Sequence, residues 1–258
     1  MALIKKFRIK NFKGQEALLE LDKISMFYNK RQILNNLSLK INKQEVLGIM
    51  GPNGVGKSTI FHIITGLKDP SFGKVTINGQ DCTKIPIYER ATKFKLGYVP
   101  QYGGYIQDLN LLENLKLVGE IHIKEKNLRK AKIEKIISQF EFDPLLEIKA
   151  KHLSGGQKKK LVISMALIND PKILLLDEPF AALDILTIKM LQNIIVSLQS
   201  IDKITVIVCD HQARDLLTCV DRAIVLSNGK IIASGSPSEI IKDSTAKSEY
   251  FGDEFKIN

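Results

Sequence analysis

The sequence predicts an α/β fold: a largely parallel sheet covered on both faces by helices, with a helical lobe inserted into it. Three observations predict it. Short, near-continuously apolar runs recur along the chain, a glycine-rich turn joins the first of them to an amphipathic helix, and one internal stretch switches to helical periodicity. With 258 residues, 44% of them hydrophobic and 26% charged, the chain is long enough to bury a sizeable core.

Taken in order, EVLGIM (45–50) reads as a buried strand that runs into the glycine-rich turn, and STIFHIITGL then sets Ile60, Ile63, Ile64 and Leu67 on one helical face. LGYVP (96–100), KILLLDEP (172–179) and ITVIVCDH (204–211) read as further strands, apolar throughout because both faces are covered. Between 102 and 152, Ile133, Ile136, Ile137 and Phe140 fall at helical spacing with charges between them, which predicts the inserted lobe. In AIVLSNGKIIASG, Asn228 and Gly229 stand between two apolar runs and predict a hairpin closed by a type I′ turn. No segment repeats and no low-complexity linker divides the chain.

The net charge is +10, but only six of the 38 basic residues are arginine and the lysines are spread along the chain. This reads as a compositional bias rather than a nucleic-acid surface. The run Lys158, Lys159, Lys160 reads as a solvated helix face. Cys82, Cys209 and Cys219 form no CxxC pair, which predicts a reducing compartment and no metal bound by thiolates. No apolar window reaches the length of a membrane span and the first residues lack the apolar region of a secretory signal, so the expectation is a cytoplasmic chain that does not itself cross a membrane.

The chemistry begins at GPNGVGKST: Gly51, Pro52, Asn53, Gly54, Val55, Gly56, Lys57, Ser58 and Thr59. The spacing G-x-x-x-x-G-K-S after a strand and before a helix predicts a loop whose backbone N–H groups hold a polyphosphate, with Lys57 on the β- and γ-phosphates and Ser58 on Mg²⁺. ILLLDEP delivers Asp177 and Glu178 to the carboxyl end of a strand, where Asp177 suits Mg²⁺ and Glu178 suits an attacking water. In LSGGQ, Ser154 and Gln157 read as a capping box opening a helix. Gly155 and Gly156 in its first turn weaken a helix, so they are read as room for a second anion, the nucleotide of another subunit.

These motifs resemble the nucleotide-binding subunits of ABC transporters, in the expected order over about residues 19–236. The resemblance implies a P-loop NTPase with a RecA-like core, an antiparallel β subdomain and an inserted helical subdomain. It implies a core of 19–101 and 153–235, a helical lobe of 102–152, a tail of 236–258 and an N-terminal extension of 1–18. It makes Glu178 the catalytic carboxylate, Gln101 a contact to Mg²⁺ and water, and His211 a switch to the γ-phosphate. Tyr28 would stack on adenine, Asp184 would stand at a subunit boundary, and Ser154, Gly155, Gly156 and Gln157 would reach the partner's ATP. The implied partners are a second copy in the presence of ATP and two integral membrane subunits, with no direct binding of cargo and no nucleic acid.

Beyond the shared motifs, the C-terminal part resembles the ATPases of lipopolysaccharide export systems in its DH segment, a G-x-P-x-E-I turn and an ending of the form Y-x-G-x-x-F. That resemblance implies a motor on the cytoplasmic face of the inner membrane. Gln107 and Asp108 depart from it, standing where basic residues are usual. Two other readings stay open: a branched-chain amino acid importer ATPase, which shares LDEPF, and a soluble ABC ATPase acting on nucleic acid or the ribosome, which only the +10 charge supports. Apolar and aromatic residues after Gln101, namely Tyr102, Tyr105, Ile106, Leu109 and Leu112, are expected to receive the membrane partners.

Overall fold

The computed structural model describes residues 17–252 and Phe255. The N-terminal extension therefore lies outside the described residues except for Ala17 and Leu18, which open a strand. β1 (Ala17–Tyr28) and β2 (Arg31–Asn42) form a long bulged hairpin. Leu37, Leu39 and Ile41 of β2 alternate inward, the period of a half-buried strand. β3 (Val46–Met50) enters the phosphate loop and α1 (Lys57–Thr65) follows it. β4 (Phe72–Ile77) and β5 (Gln80–Asp81) complete a four-stranded antiparallel sheet ordered β2-β1-β4-β5.

After α2 (Ile87–Lys93) and β6 (Leu96–Val99) the chain leaves the sheet for α3 (Leu111–His122) and α4 (Lys126–Phe140). It returns through α5 (Gly155–Leu167) to β7 (Ile173–Asp177), then α6 (Ile185–Ser200), β8 (Thr205–Cys209) and α7 (Ala213–Leu217). β9 (Arg222–Ser227) and β10 (Lys230–Gly235) form the expected hairpin, with Asn228 at φ 47° and Gly229 at φ 72°. Both turn residues lie in the left-handed region, as a type I′ turn requires. α8 (Pro237–Lys242) and α9 (Ser244–Ala246) lead into the tail. The second sheet is ordered β10-β9-β3-β8-β7-β6 and is parallel except for β10.

Two cores lie on opposite faces of this second sheet. Leu174, Leu176, Val206 and Val208 join the cluster under the helical lobe and α6. Ile173, Leu175, Ile207 and Cys209, one residue out of step, join the cluster under α1 and the antiparallel sheet. A strand buried on both faces has no polar position to alternate with. That is why these strands read as unbroken apolar runs. The arrangement puts the ends of β3, β8, β7 and β6 side by side, the edge where open α/β sheets bind ligands. Among the described residues no helix is long and apolar enough to cross a membrane.

Candidate functional site

The phosphate loop leaves β3 with Gly51 at φ 148°, where an added Cβ would stand 2.6 Å from the Leu226 carbonyl oxygen. Only glycine fits there. Lys57, 5% exposed, curls back over the loop and its Nζ donates to the carbonyls of Gly51 and Pro52 at 2.8 and 3.0 Å. Gly56 and Lys57 begin α1, so the backbone N–H groups of its first turn point into the loop. Tyr28, at the end of β1, is exposed and carries the Lys68 ammonium 5.9 Å from its ring centroid.

The end of β7 meets this loop. Ser58 Oγ donates to Asp177 Oδ1 at 3.5 Å, and Tyr98 Oη donates to Asp177 Oδ2 at 3.4 Å. Burial, and then the charge of Glu178, push the Asp177 carboxyl above its ordinary range. A buried carboxylate beside a hydroxyl and a second carboxylate is an oxygen donor set that fits a hard divalent cation, which would offset the cost of keeping both charges. Glu178 lies in the left-handed region at φ 45°. Gln101 Nε2 donates to its Oε2 at 2.6 Å, and His211 Nδ1 stands 3.4 Å from the same oxygen. Gln101 thus engages Glu178 directly. The three residues named catalytic in the sequence come together at one carboxylate oxygen.

Ser154 caps α5 as a full capping box, with Gln157 N donating to Ser154 Oγ at 3.3 Å and Ser154 N donating to Gln157 Oε1 at 2.8 Å. Asp184 caps α6 and accepts the Thr187 hydroxyl at 2.6 Å. An added Cβ on Gly156 would stand 2.4 Å from Thr187 Cγ2, and one on Gly155 would stand 3.2 Å from Leu183. Packing of α6 therefore requires the glycine at 156 irrespective of any anion, a reason the sequence alone does not show. Gly156→Ala is expected to lower stability by about 1–3 kcal/mol from overpacking, despite alanine's better helix propensity. Thr187→Ser removes the clashing methyl and is expected to recover most of that loss, as thermal unfolding of the single and double variants would measure.

Several residues of the site were not singled out from the sequence. Asp210, fully buried, accepts the backbone N–H of Phe180 and of Gln212 and so binds the segment after β7 to the switch. Burial raises its pKa. Asn114, also fully buried, accepts from Ile106 N and donates to the carbonyls of Ile106, Leu109 and Asn110, fixing the loop that follows Gln101. On that loop Tyr102 and Ile106 are exposed, while Tyr105 and Leu112 pack partly on the core. Asp108, the departure noted above, accepts from Lys151 Nζ at 2.7 Å. Tyr250 of the tail donates its hydroxyl to the His211 carbonyl at 3.1 Å, and Phe251 stacks on Phe255 at 4.4 Å.

The run of lysines is corrected by the structure. All three are half-buried, and Lys158 donates to the Lys151 carbonyl at 3.2 Å. Lys160 lies over the Phe142 ring at 5.3 Å, and Lys159 turns inward to the Gln101 carbonyl at 2.8 Å. Burial lowers the pKa of both. A helix that packs one face on a core carries adjacent residues to different environments, so three successive lysines cannot share one solvated face.

A phosphate loop on a parallel sheet, with a carboxylate, a glutamine and a histidine at its edge, defines a nucleoside triphosphatase. The chain belongs to the ABC transporter family, whose match covers residues 34–181, and its activity is ATP hydrolysis coupled to transport. The lipopolysaccharide export system ATP-binding protein LptB of Haemophilus influenzae is 34% identical over 245 residues, spanning 93% of this chain and 100% of that protein. LptB of Escherichia coli K12 is 31% identical over 242 residues, again 93% of this chain and 100% of that protein. Among solved structures, the ADP conformation of an ATP-binding cassette of an ABC transporter superposes with a TM-score of 0.82 at 28% identity, covering 93% of this chain and 100% of that one. A dimeric post-hydrolysis cassette bound to ADP and Pi gives 0.72 at 29% identity, covering 85% of this chain and 98% of that one.

Proposed function

We propose that this chain is the ATP-hydrolysing motor of a transporter that extracts lipopolysaccharide from the inner membrane for export to the outer membrane. The observation that carries the cargo is the likeness to lipopolysaccharide export ATP-binding proteins along their whole length, 93% of this chain and 100% of theirs. The motor works on the cytoplasmic face of the inner membrane, bound to two integral membrane subunits, and touches neither cargo nor nucleic acid. Residues 19–101 and 153–235 form its nucleotide-binding core, 102–152 the lobe that meets the membrane subunits, and 236–258 the tail.

In this reading Gly51 to Thr59 hold the phosphates of ATP and Tyr28 stacks on its base. Ser58, Gln101 and Asp177 would hold Mg²⁺, which would supply charge neutralisation to the bound polyphosphate. Glu178 orients the attacking water and accepts its proton, while Gln101 and His211 keep the carboxylate aimed. Two copies close head to tail, so that Ser154, Gly155, Gly156 and Gln157 of one reach the nucleotide held by the other and Asp184 stands at the boundary. Hydrolysis removes the anion that bridges them, and the copies separate because they bind ATP in preference to its products.

The test is reconstitution with the membrane subunits in vesicles containing lipopolysaccharide: ATP-dependent extraction is expected. Partners that instead accept a periplasmic binding protein and move an amino acid defeat the proposal. The docking surface has its own test. Ile106→Asp is expected to leave ATP hydrolysis by the isolated chain within about twofold of wild type, as surface substitutions change stability little, yet to abolish co-purification with the membrane subunits. Its backbone stays held by Asn114, so assembly that survives the change would put the docking surface elsewhere.

A further inference from the structure

Lys159 has no part in the scheme above, yet it is the lysine of the run that the fold turns inward. Its Nζ donates to the backbone carbonyl of Gln101 at 2.8 Å, bridging α5 to the loop that leaves β6. Gln101 in turn donates its side-chain amide to Glu178 at 2.6 Å. Burial of the ammonium is costly and lowers its pKa, and the carboxylates Asp210, Asp177 and Glu178 oppose that cost. Simple packing does not require a charge there. Val162, one turn on, fills the same wall with an apolar side chain and leaves 2.9 Å to an added Cβ on Gly104 of the same loop.

We infer that Lys159 is a positioning residue for hydrolysis: its ammonium fixes the backbone of Gln101 and thereby the contact between the Gln101 amide and the Glu178 carboxylate. The inference rests on the proposed ATPase mechanism. It makes α5, which also carries Ser154 at its start, the element that sets the catalytic glutamine.

The full-length chain with Lys159→Met, Gln101→Ala and both together decides it, with kcat and KM for ATP measured for each. Lys159→Met is expected to lower kcat about tenfold with KM within about twofold, because it removes an interaction that serves the transition state and not ATP binding. Lys159→Arg, which keeps a donor on a long stem, is expected to recover at least about a third of wild-type kcat. On the Gln101→Ala background the same Lys159→Met change is expected to cost less than about twofold, since no amide remains to be positioned. A change that acted only through stability would cost the same factor on both backgrounds and would overturn the inference, as would wild-type kcat in Lys159→Met or a rise in KM matching the loss. Wild type without ATPase activity would instead sink the underlying mechanism, and active wild type with an inert Glu178→Gln variant separates the two failures.

Discussion

Glu178→Gln stops ATP turnover and leaves ATP binding in place, so that ATP traps the chain as a dimer. The expected loss in kcat is about 10²- to 10⁴-fold, the range for removing a positioned base. The substitution is close to isosteric: the glutamine carbonyl can still accept from Gln101 Nε2, which now bonds Glu178 at 2.6 Å. What disappears is the charge and the capacity to take a proton. The phosphate loop and Lys57 are untouched. Asp177 even gains, because the Glu178 charge is the second cause of its raised pKa after burial, and removing that charge favours the ionised form a cation needs. Light scattering with Mg-ATP reads the result. A variant that stays monomeric at tens of micromolar, beside an active wild type, argues against a closed two-copy state.

Ser154→Arg carries the second large effect. Ser154 is exposed at the N-terminus of α5, its hydroxyl accepting from Gln157 N at 3.3 Å. If it serves the other copy's nucleotide, a bulky cation there abolishes hydrolysis and leaves the variant's own affinity for ATP within about twofold, since uniform binding to the phosphate loop is unchanged. If it serves only as a cap, the variant loses about 1 kcal/mol of stability and keeps its activity at low temperature. Nucleotide binding by fluorescence and turnover at two temperatures distinguish the outcomes. Ser154→Ala calibrates them, for it removes the cap without adding bulk.

The sequence exposes those parts of the fold whose signal is local. The phosphate loop, the capping box of Ser154 and the Asn228–Gly229 hairpin each occupy a few consecutive residues, and the buried strands are apolar because both faces are covered. Asp177 and Glu178 could be named because a strand delivers them to the carboxyl edge of a parallel sheet, whereas Gln101 and His211, two residues beyond β6 and β8, were named only through the resemblance to the ABC transporter subunits. β1 and β2 were harder. Their register shifts break the alternation, although Leu37, Leu39 and Ile41 preserve it at one end. Lys159 and Tyr98 were missed because their partners lie 58 and 79 positions away. Nothing within a helix says which of three lysines will face inward. Asn114 left a fainter trace: an asparagine in a helix interior competes with the backbone, and one kept there invites the question of what it bonds.

The alternation of side chains across the second sheet also apportions rigidity. Each residue step along β7 or β8 changes which core it enters, so these strands are clamped from above and below and open only when the whole domain does. α4 is secured differently. Its buried residues are Ile133, Ile136 and Phe140, all on one stripe, and the remainder of its 15 residues face outward or lie at the rim. Asp177 is thus mounted on a strand for which slow amide exchange is expected, while α4, held along one stripe, is expected to exchange faster.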